Sequence, residues 1–263
     1  MWKTGARNDR AAVIPREARG YPRKRVLHLI PADQVELVDD FTSFGVHAFT
    51  TTRQFGTFSS ASEEPIRDVM GRWDAVRSHA ASHGVLRLAT AAQVHGARVL
   101  VHDYGWSGWL RELEADGHFS ASRDTAMAIS IADCVPVFLA HPSGASALLH
   151  SGWRGTAARI IEHGIAAFTH RGLPAAELRM HLGPAICGDC YQVSPEVVEK
   201  LTGERVSKPR TIDLRALISA HARAFGVHHI TISPSCTRHH NERFFSHRAG
   251  DAGRQVSVIF AHS

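Results

Sequence analysis

Three segments of this 263-residue chain carry side chains suited to holding a metal. They are Gln93-Val94-His95-Gly96, Ala132-Asp133-Cys134-Val135-Pro136 and His150-Ser151-Gly152-Trp153-Arg154-Gly155-Thr156. Each sets one nitrogen or sulfur ligand beside glycine or at the end of an apolar run. Together His95, Cys134 and His150 make a set that catalytic zinc uses when it keeps a fourth position open for water. Asp133 is a candidate orienter or proton acceptor next to such a metal. The third segment adds Arg154 and a glycine-containing helix start. There the N–H groups of Gly155 and Thr156, beside a fork-shaped guanidinium, would suit phosphate. A metal and an anion site meeting in one cleft read as a reaction centre.

Taken singly, these residues have plainer readings. With 19 histidines in the chain, a histidine near a cysteine is cheap, and a lone Cys or His serves equally well in a core. Cys187-x-x-Cys190 could be half a zinc knuckle or a redox pair. No second Cys-x-x-Cys exists, and Tyr191-Gln192-Val193 has strand character, so no structural zinc is expected there. A further cluster comprises Cys236-Thr237 and Phe244-Phe245-Ser246-His247-Arg248. Its phenylalanines could be core, or could wall a nucleobase pocket with Ser246 and Arg248 on the polar edge. Four cysteines in a chain this long suit a reduced compartment better than a disulfide scaffold.

The elements that must position these groups follow from hydrophobic periodicity. Val26–Ile30 and Phe44–Thr50 read as strands, with 31–40 a polar connection. Ile66, Val69, Met70, Trp73, Val76 and Ala80 recur at helical spacing, predicting a helix over Pro65–His83. Ala97–His102 and the alternating Met127, Ile129, Ile131 are predicted strands. Val137–Ala140 and Ala145–His150 form a hairpin around His141-Pro142-Ser143-Gly144. Cys134 and His150, 16 residues apart, then project toward one rim. A helix over Thr156–His170 follows, then a strand at Leu178–Leu182 and a helix starting at Ser194-Pro195-Glu196. Asp213–Phe225 is a capped helix, and Val227–Ser233 and Gln255–Ala261 are strands. Strands cluster more than they alternate with helices, which predicts an α+β single domain with a mixed β-sheet packed with helices.

The chain carries a net charge of +5, unevenly placed. Residues 1–25 hold eight Lys/Arg against Asp9 and Glu17, which leaves 22 basic and 23 acidic side chains in the rest, a net of −1. The basicity belongs to a tail, expected to be disordered, with the catalytic domain spanning 26–263. Nucleic acid is therefore not the expected partner. No apolar run reaches the roughly 18 residues of a membrane span, and the N-terminus lacks a secretory h-region. A cytoplasmic protein is expected, and the sequence assigns no oligomeric state.

The three metal and anion segments resemble the YfiH/laccase-domain family. So do Gly183-Pro184-Ala185-Ile186 with Tyr191-Gln192-Val193, Cys236-Thr237 and Phe245-Ser246-His247-Arg248. The resemblance spans about Phe44 to Phe260 in matching order. It implies that His95, Cys134 and His150 bind a catalytic zinc rather than copper. It further implies phosphorolysis of adenosine, inosine, guanosine and methylthioadenosine, and deamination of adenosine. Purine nucleosides and phosphate would be the small-molecule partners. Arg154 and Asp133 are then the catalytic candidates, and Arg53, Gly155, Thr156, Cys236, Ser246 and Arg248 the candidate substrate contacts. The chain departs from the family at Ser151, where alanine is usual, and at His247, where tyrosine is usual. Thr51-Thr52-Arg53 also runs into Gln54-Phe55-Gly56 instead of a Gly-Gly-Val-Ser-like turn.

Two other enzyme readings remain open at this point. Copper polyphenol oxidation needs an additional copper cluster fed by many histidines, yet no His-x-His occurs. An amidase editing cytoplasmic peptidoglycan precursors could use the same metal-activated water. A binding protein whose tail contacts acidic partners is the non-enzymatic reading. Because residues 1–25 show no face to bury, deleting them should leave activity and thermal stability nearly unchanged. A melting temperature lowered by many degrees would make the tail part of the fold.

Overall fold

The computed structural model describes residues 30–103 and 106–262. The basic tail and most of the expected Val26–Ile30 strand lie outside the described residues. In chain order the strands are β1 (Val35–Leu37), β2 (Val46–Thr51), β3 (Arg87–Ala91), β4 (Val99–Val101), β5 (Gly108–Glu112), β6 (Gly117–Ser120) and β7 (Thr125–Ile131). They continue with β8 (Val135–Ala140), β9 (Ser146–Ser151), β10 (Arg179–Leu182), β11 (Gln192–Val193), β12 (Arg210–Thr211), β13 (His229–Ile232) and β14 (Gln255–Ala261). The helices are α1 (Ile66–Ser82), α2 (Trp153–Ala157), α3 (Ile160–Thr169), α4 (Pro195–Thr202) and α5 (Leu214–Ala224).

The domain is α+β and its β-structure is mixed, but apart from a two-stranded β11-β12 pair it divides, among the described residues, into two six-stranded sheets instead of one. Their orders are β1-β2-β14-β7-β3-β5 and β13-β10-β8-β9-β6-β4. Strand periodicity explains the layering, since alternate side chains leave opposite faces of a sheet. On β7, Met127, Ile129 and Ile131 enter the layer between the sheets, where they join Phe138, Ala140 and Leu148 of β8 and β9. Ala126 and Ala128 take the other face, under Val76 and Ala80 of α1. Val135, Val137, Leu139, Ala147 and Leu149 face outward from the second sheet and are covered by Ile161, Ile165 and Phe168 of α3 and by α4 and α5. The result is a helix–sheet–sheet–helix sandwich.

The topology has one property that matters for the site. Strands β3, β5 and β7 run parallel in the first sheet, and each crosses at its C-terminal end to a strand of the second sheet. The crossings are 92–98, 113–116 and 132–134, leading to β4, β6 and β8. Strand β9 runs antiparallel to β8 with Pro136 opposite His150, so His150 returns to the same end. Four segments distant in sequence therefore meet at one edge of the sandwich.

Two expected elements differ. The polar connection over 31–40 contains β1, an edge strand pairing Val35 with Thr51, with Val35 and Val38 buried. The single helix over Thr156–His170 is broken, because Arg159 takes a left-handed φ of 58°. The break lets α2 lean on the 93–96 segment while α3 lies along the sheet. None of the helices among the described residues is long and apolar enough to cross a membrane.

Phe138 is fully buried between the sheets. Phe138→Ala should cost about 3–5 kcal/mol of unfolding free energy, through lost burial and the cavity left behind. A denaturant melt showing a loss below about 1 kcal/mol would mean the two sheets do not share this layer.

Candidate active site

Asp116 organises the cluster at that edge. It is fully buried just before β6, and its Oδ1 accepts from His150 Nδ1 at 2.8 Å. The backbone N–H groups of Val94, His95 and Gly96 donate to the same carboxylate at 3.2, 2.9 and 2.7 Å. Burial opposes its charge, but the bond and charge of His150 and the N–H groups of Gly96 and Val94 hold its pKa below the usual value. One carboxylate thus fixes the ring of His150 and the backbone turn that presents His95. With Nδ1 committed to Asp116, His150 has Nε2 left to act as a ligand.

The three expected ligands do converge. Their donor atoms, one each from His95, Cys134 and His150, all lie within 4.8 Å of one another. Desolvation opposes ionisation of Cys134, yet His150 and His95 beside it lower the thiol pKa. Desolvation likewise opposes charge on His150, while the Cys134 sulfur and Asp116 raise it. A sulfur with anionic character between two imidazoles is a donor set that a divalent cation satisfies well. Space beside these atoms is kept by Gly152, where a Cβ would lie 2.8 Å from Cys134 Sγ and 3.4 Å from His95 Cδ2.

Two residues at the site hold left-handed backbone, His95 at φ 61° and Asp133 at φ 83°. Each is strained for a non-glycine residue, at a cost of order 1–3 kcal/mol, and persists because its surroundings over-determine it. For His95 the determinant is Asp116. For Asp133 it is the three-residue crossing between sheets, fastened by Thr237 Oγ1 donating to Oδ1 (2.6 Å) and Arg248 N–H donating to Oδ2 (2.7 Å).

The donors open into a cavity of about 550 Å³ whose wall includes Gln93, Ser130, Asp133, Trp153, Arg154, Tyr191, His247, Arg248 and Arg254. Gln93 is pinned to Ser130, donating to its carbonyl and accepting from its N–H and hydroxyl. Arg254 is spent on the carbonyls of Asp251, Ala252 and Gly253, and Arg248 donates to Gln192 O. Arg154 is exposed and lies over the Trp153 ring at 4.2 Å, and after Lys200 its charge helps hold the nearby Glu196 carboxyl below its usual pKa. Burial, then the nearby Cys134, pushes the Tyr191 phenol up to about 12, so it stays protonated as a hydrogen-bond donor.

Other expected contacts sit elsewhere. Gly155 and Thr156 are buried behind the cavity wall, and the Thr156 N–H donates to Gly152 O instead of facing an anion. A Cβ at Gly155 would come within 3.1 Å of Gly96 O, so this glycine serves close packing against the His95 turn. Arg53 binds the carbonyls of Asn241 and Phe244 and the Asp251 carboxylate, and Ser246 N–H donates to the same carboxylate; both shape the 241–251 loop. Cys236 lies with Cys187, Cys190 and His239, in a second group of donors within 4.8 Å of one another. The expectation that Cys187-x-x-Cys190 stands alone is thus corrected. Its partner half is Cys236-x-x-His239, a Cys-x-x-His that a search for a second Cys-x-x-Cys passes over. Asp116 was also missed; its signal, an acid placed directly before the strand Gly117–Ser120, is faint.

A family model described as multi-copper polyphenol oxidoreductase laccase matches residues 51–262. A purine nucleoside phosphorylase of Streptomyces coelicolor is 34% identical over 182 residues, covering 66% of this chain and 75% of that protein. Adenosine deaminase RL5, from an unknown prokaryotic organism, is 33% identical over 247 residues, covering 82% and 94%. Among solved structures, protein NMB0706 of Neisseria meningitidis superposes with a TM-score of 0.74 at 24% identity, covering 88% of this chain and 100% of that one.

Asp116→Asn should weaken zinc binding at the His95/Cys134/His150 group by roughly 10- to 100-fold, the usual effect of removing a ligand's orienting partner. Titration against a chelating dye checks this, and an unchanged affinity would mean that Asp116 does not tune the ligands.

Proposed function

The chain belongs to the multi-copper polyphenol oxidoreductase laccase family, and from its site we propose that it is a zinc-dependent purine nucleoside enzyme. On this reading it carries out phosphorolysis of adenosine, inosine, guanosine and methylthioadenosine, and hydrolytic deamination of adenosine. The observation that carries the proposal is a three-donor group lining a nucleoside-sized cavity, with an exposed arginine in the same wall. Relatives at 28–34% identity with purine nucleoside phosphorylase and adenosine deaminase names support the substrate class.

Zinc held by His95, Cys134 and His150 would supply Lewis acidity and lower the pKa of a nearby water. The chain's own groups divide the remaining work. In phosphorolysis a phosphate oxygen bonds to C1′ of the ribose as the C1′–N9 bond breaks, with the bonding pair leaving on the purine. Arg154 offers a forked donor to that phosphate, stabilising charge where it develops. In deamination water adds at C6 and ammonia leaves. Tyr191, a protonated phenol in the cavity wall, is placed to donate a hydrogen bond to the base or the ribose. Asp133 acts as a positioning residue, since both its oxygens are engaged in holding the turn that presents Cys134. Trp153 and Tyr191 line the same cavity, each with a guanidinium over its ring, from Arg154 and Arg248 respectively.

The His₂Cys donor set also suits copper. A multicopper oxidase needs further histidine-rich copper sites, however, and the other donor group among the described residues is thiolate-rich. The metal-loaded protein should release free purine base from nucleosides only when phosphate is present, and inosine from adenosine without it. Failure to turn over any purine nucleoside, together with oxygen uptake on phenols, would replace this reading with copper oxidation; release of amino acids from amino-sugar peptides would replace it with the amidase.

Arg154→Ala should retain zinc yet lose phosphorolysis by roughly 30- to 1000-fold, with the apparent affinity for phosphate falling most. Deamination uses water and should suffer less. Equal loss of both reactions would assign Arg154 to nucleoside positioning instead.

A further inference from the structure

Two turns far apart in sequence bring a second donor group together. The tight turn Gly188–Cys190 folds Cys187 and Cys190 toward each other, and the turn after Cys236 brings His239 across to them. The three sulfurs and one ring nitrogen all lie within 4.8 Å of one another. Cys187 Sγ is 3.7 Å from His239 Nδ1, and Cys190 Sγ is 3.2 Å from His239 Nε2. The N–H groups of Cys187 and His239 both point at Cys236 Sγ, at 3.3 and 3.5 Å. None of the four residues lines the cavity.

We infer that Cys187, Cys190, Cys236 and His239 bind a structural zinc ion, distinct from the metal of the active-site cavity. Zinc–sulfur bonds of about 2.3 Å in a tetrahedron set neighbouring sulfurs about 3.8 Å apart, the scale of spacing already present here. Backbone N–H groups aimed at a cysteine sulfur stabilise it as the thiolate that a metal requires. Four protein donors fill the coordination sphere and leave no position for water or substrate, which makes the site structural instead of catalytic. A disulfide would use two of the three sulfurs and leave a thiol and an imidazole without a shared role. Binding releases protons from the thiols and changes no oxidation state.

Such an ion would staple one wall of the cavity. Ile186 and Tyr191, on either side of the Cys187–Cys190 turn, both line it. Ala185 bridges to Cys236, and Thr237, the next residue, holds the Asp133 carboxylate. Cross-linking segments this distant in sequence also restricts the unfolded chain, so the ion should contribute to stability.

The inference does not depend on the reaction assigned above, and metal counting separates the two. Full-length protein purified with zinc under reducing conditions should hold about two zinc ions per chain, and Cys134→Ala about one. His239 is exposed, so His239→Ala removes a ligand with little loss of packing. It should hold about one zinc and melt at a lower temperature. His239→Cys restores four donors and should regain both the second ion and the melting temperature. Cobalt-loaded Cys134→Ala should keep the strong thiolate-to-cobalt absorption of a three-sulfur site, and cobalt-loaded His239→Ala should lose most of it. A wild-type chain with one zinc that disappears entirely in Cys134→Ala would overturn the inference. So would an intact mass two hydrogens short of the reduced chain with Cys187, Cys190 or Cys236 in a disulfide.

Discussion

The buried Asp116 carboxylate is the interaction on which the site depends. A charge with no solvent costs several kcal/mol unless it is fully satisfied, and here four donors surround it, three from the backbone and one from an imidazole. The satisfaction runs both ways. Asp116 would be intolerable without the 94–96 turn and His150, and that turn could not hold His95 at positive φ without Asp116. Two donors of the candidate metal group, 55 residues apart, are therefore set by one carboxylate.

Why these segments meet is a matter of topology. Three parallel strands of one sheet each hand the chain to the other sheet at the same end, so each crossing contributes a residue to one edge: His95, Asp116 and Cys134 in turn. A crossing of three residues such as Ala132–Cys134 has little freedom, and the positive φ of Asp133 is the consequence. Strain of this kind needs anchoring, and Thr237 and Arg248 supply it from the 236–248 region. The edge is rigid because every segment in it is tied to another that is distant in sequence.

The degree to which this was legible in the sequence follows the range of the interactions. Cys134 and His150 could be placed on one rim because a hairpin is a local object whose register follows from its turn. The helix at 66–82 and the cap at Asp213 were legible for the same reason, and Asp213 does accept from the N–H groups of Arg215 and Ala216. Asp116 was not legible, since its partners lie 20 to 34 residues away across two strands. Nor does alternation along Met127, Ile129 and Ile131 say which of two sheets a strand joins. The break at Arg159 left no trace either, because the apolar stripe continues through it. Cys236 was read as a pocket residue, whereas its geometry is set by Cys187 N–H, 49 residues back.

The two donor groups differ in a way that their chemistry explains. The cavity group has three donors, one glycine beside them where a side chain would intrude, and an orienting carboxylate that leaves a single imidazole nitrogen free. That is the build of a site meant to exchange what it binds. The second group has four donors, two N–H groups directed at one sulfur, and no place on the cavity surface. That is the build of a site meant to stay closed. They meet through Asp133, whose carboxylate is gripped by Thr237 next to Cys236 and whose neighbour is Cys134. The second group thus ties, through Thr237 and Asp133, the frame against which the cavity group presents its sulfur.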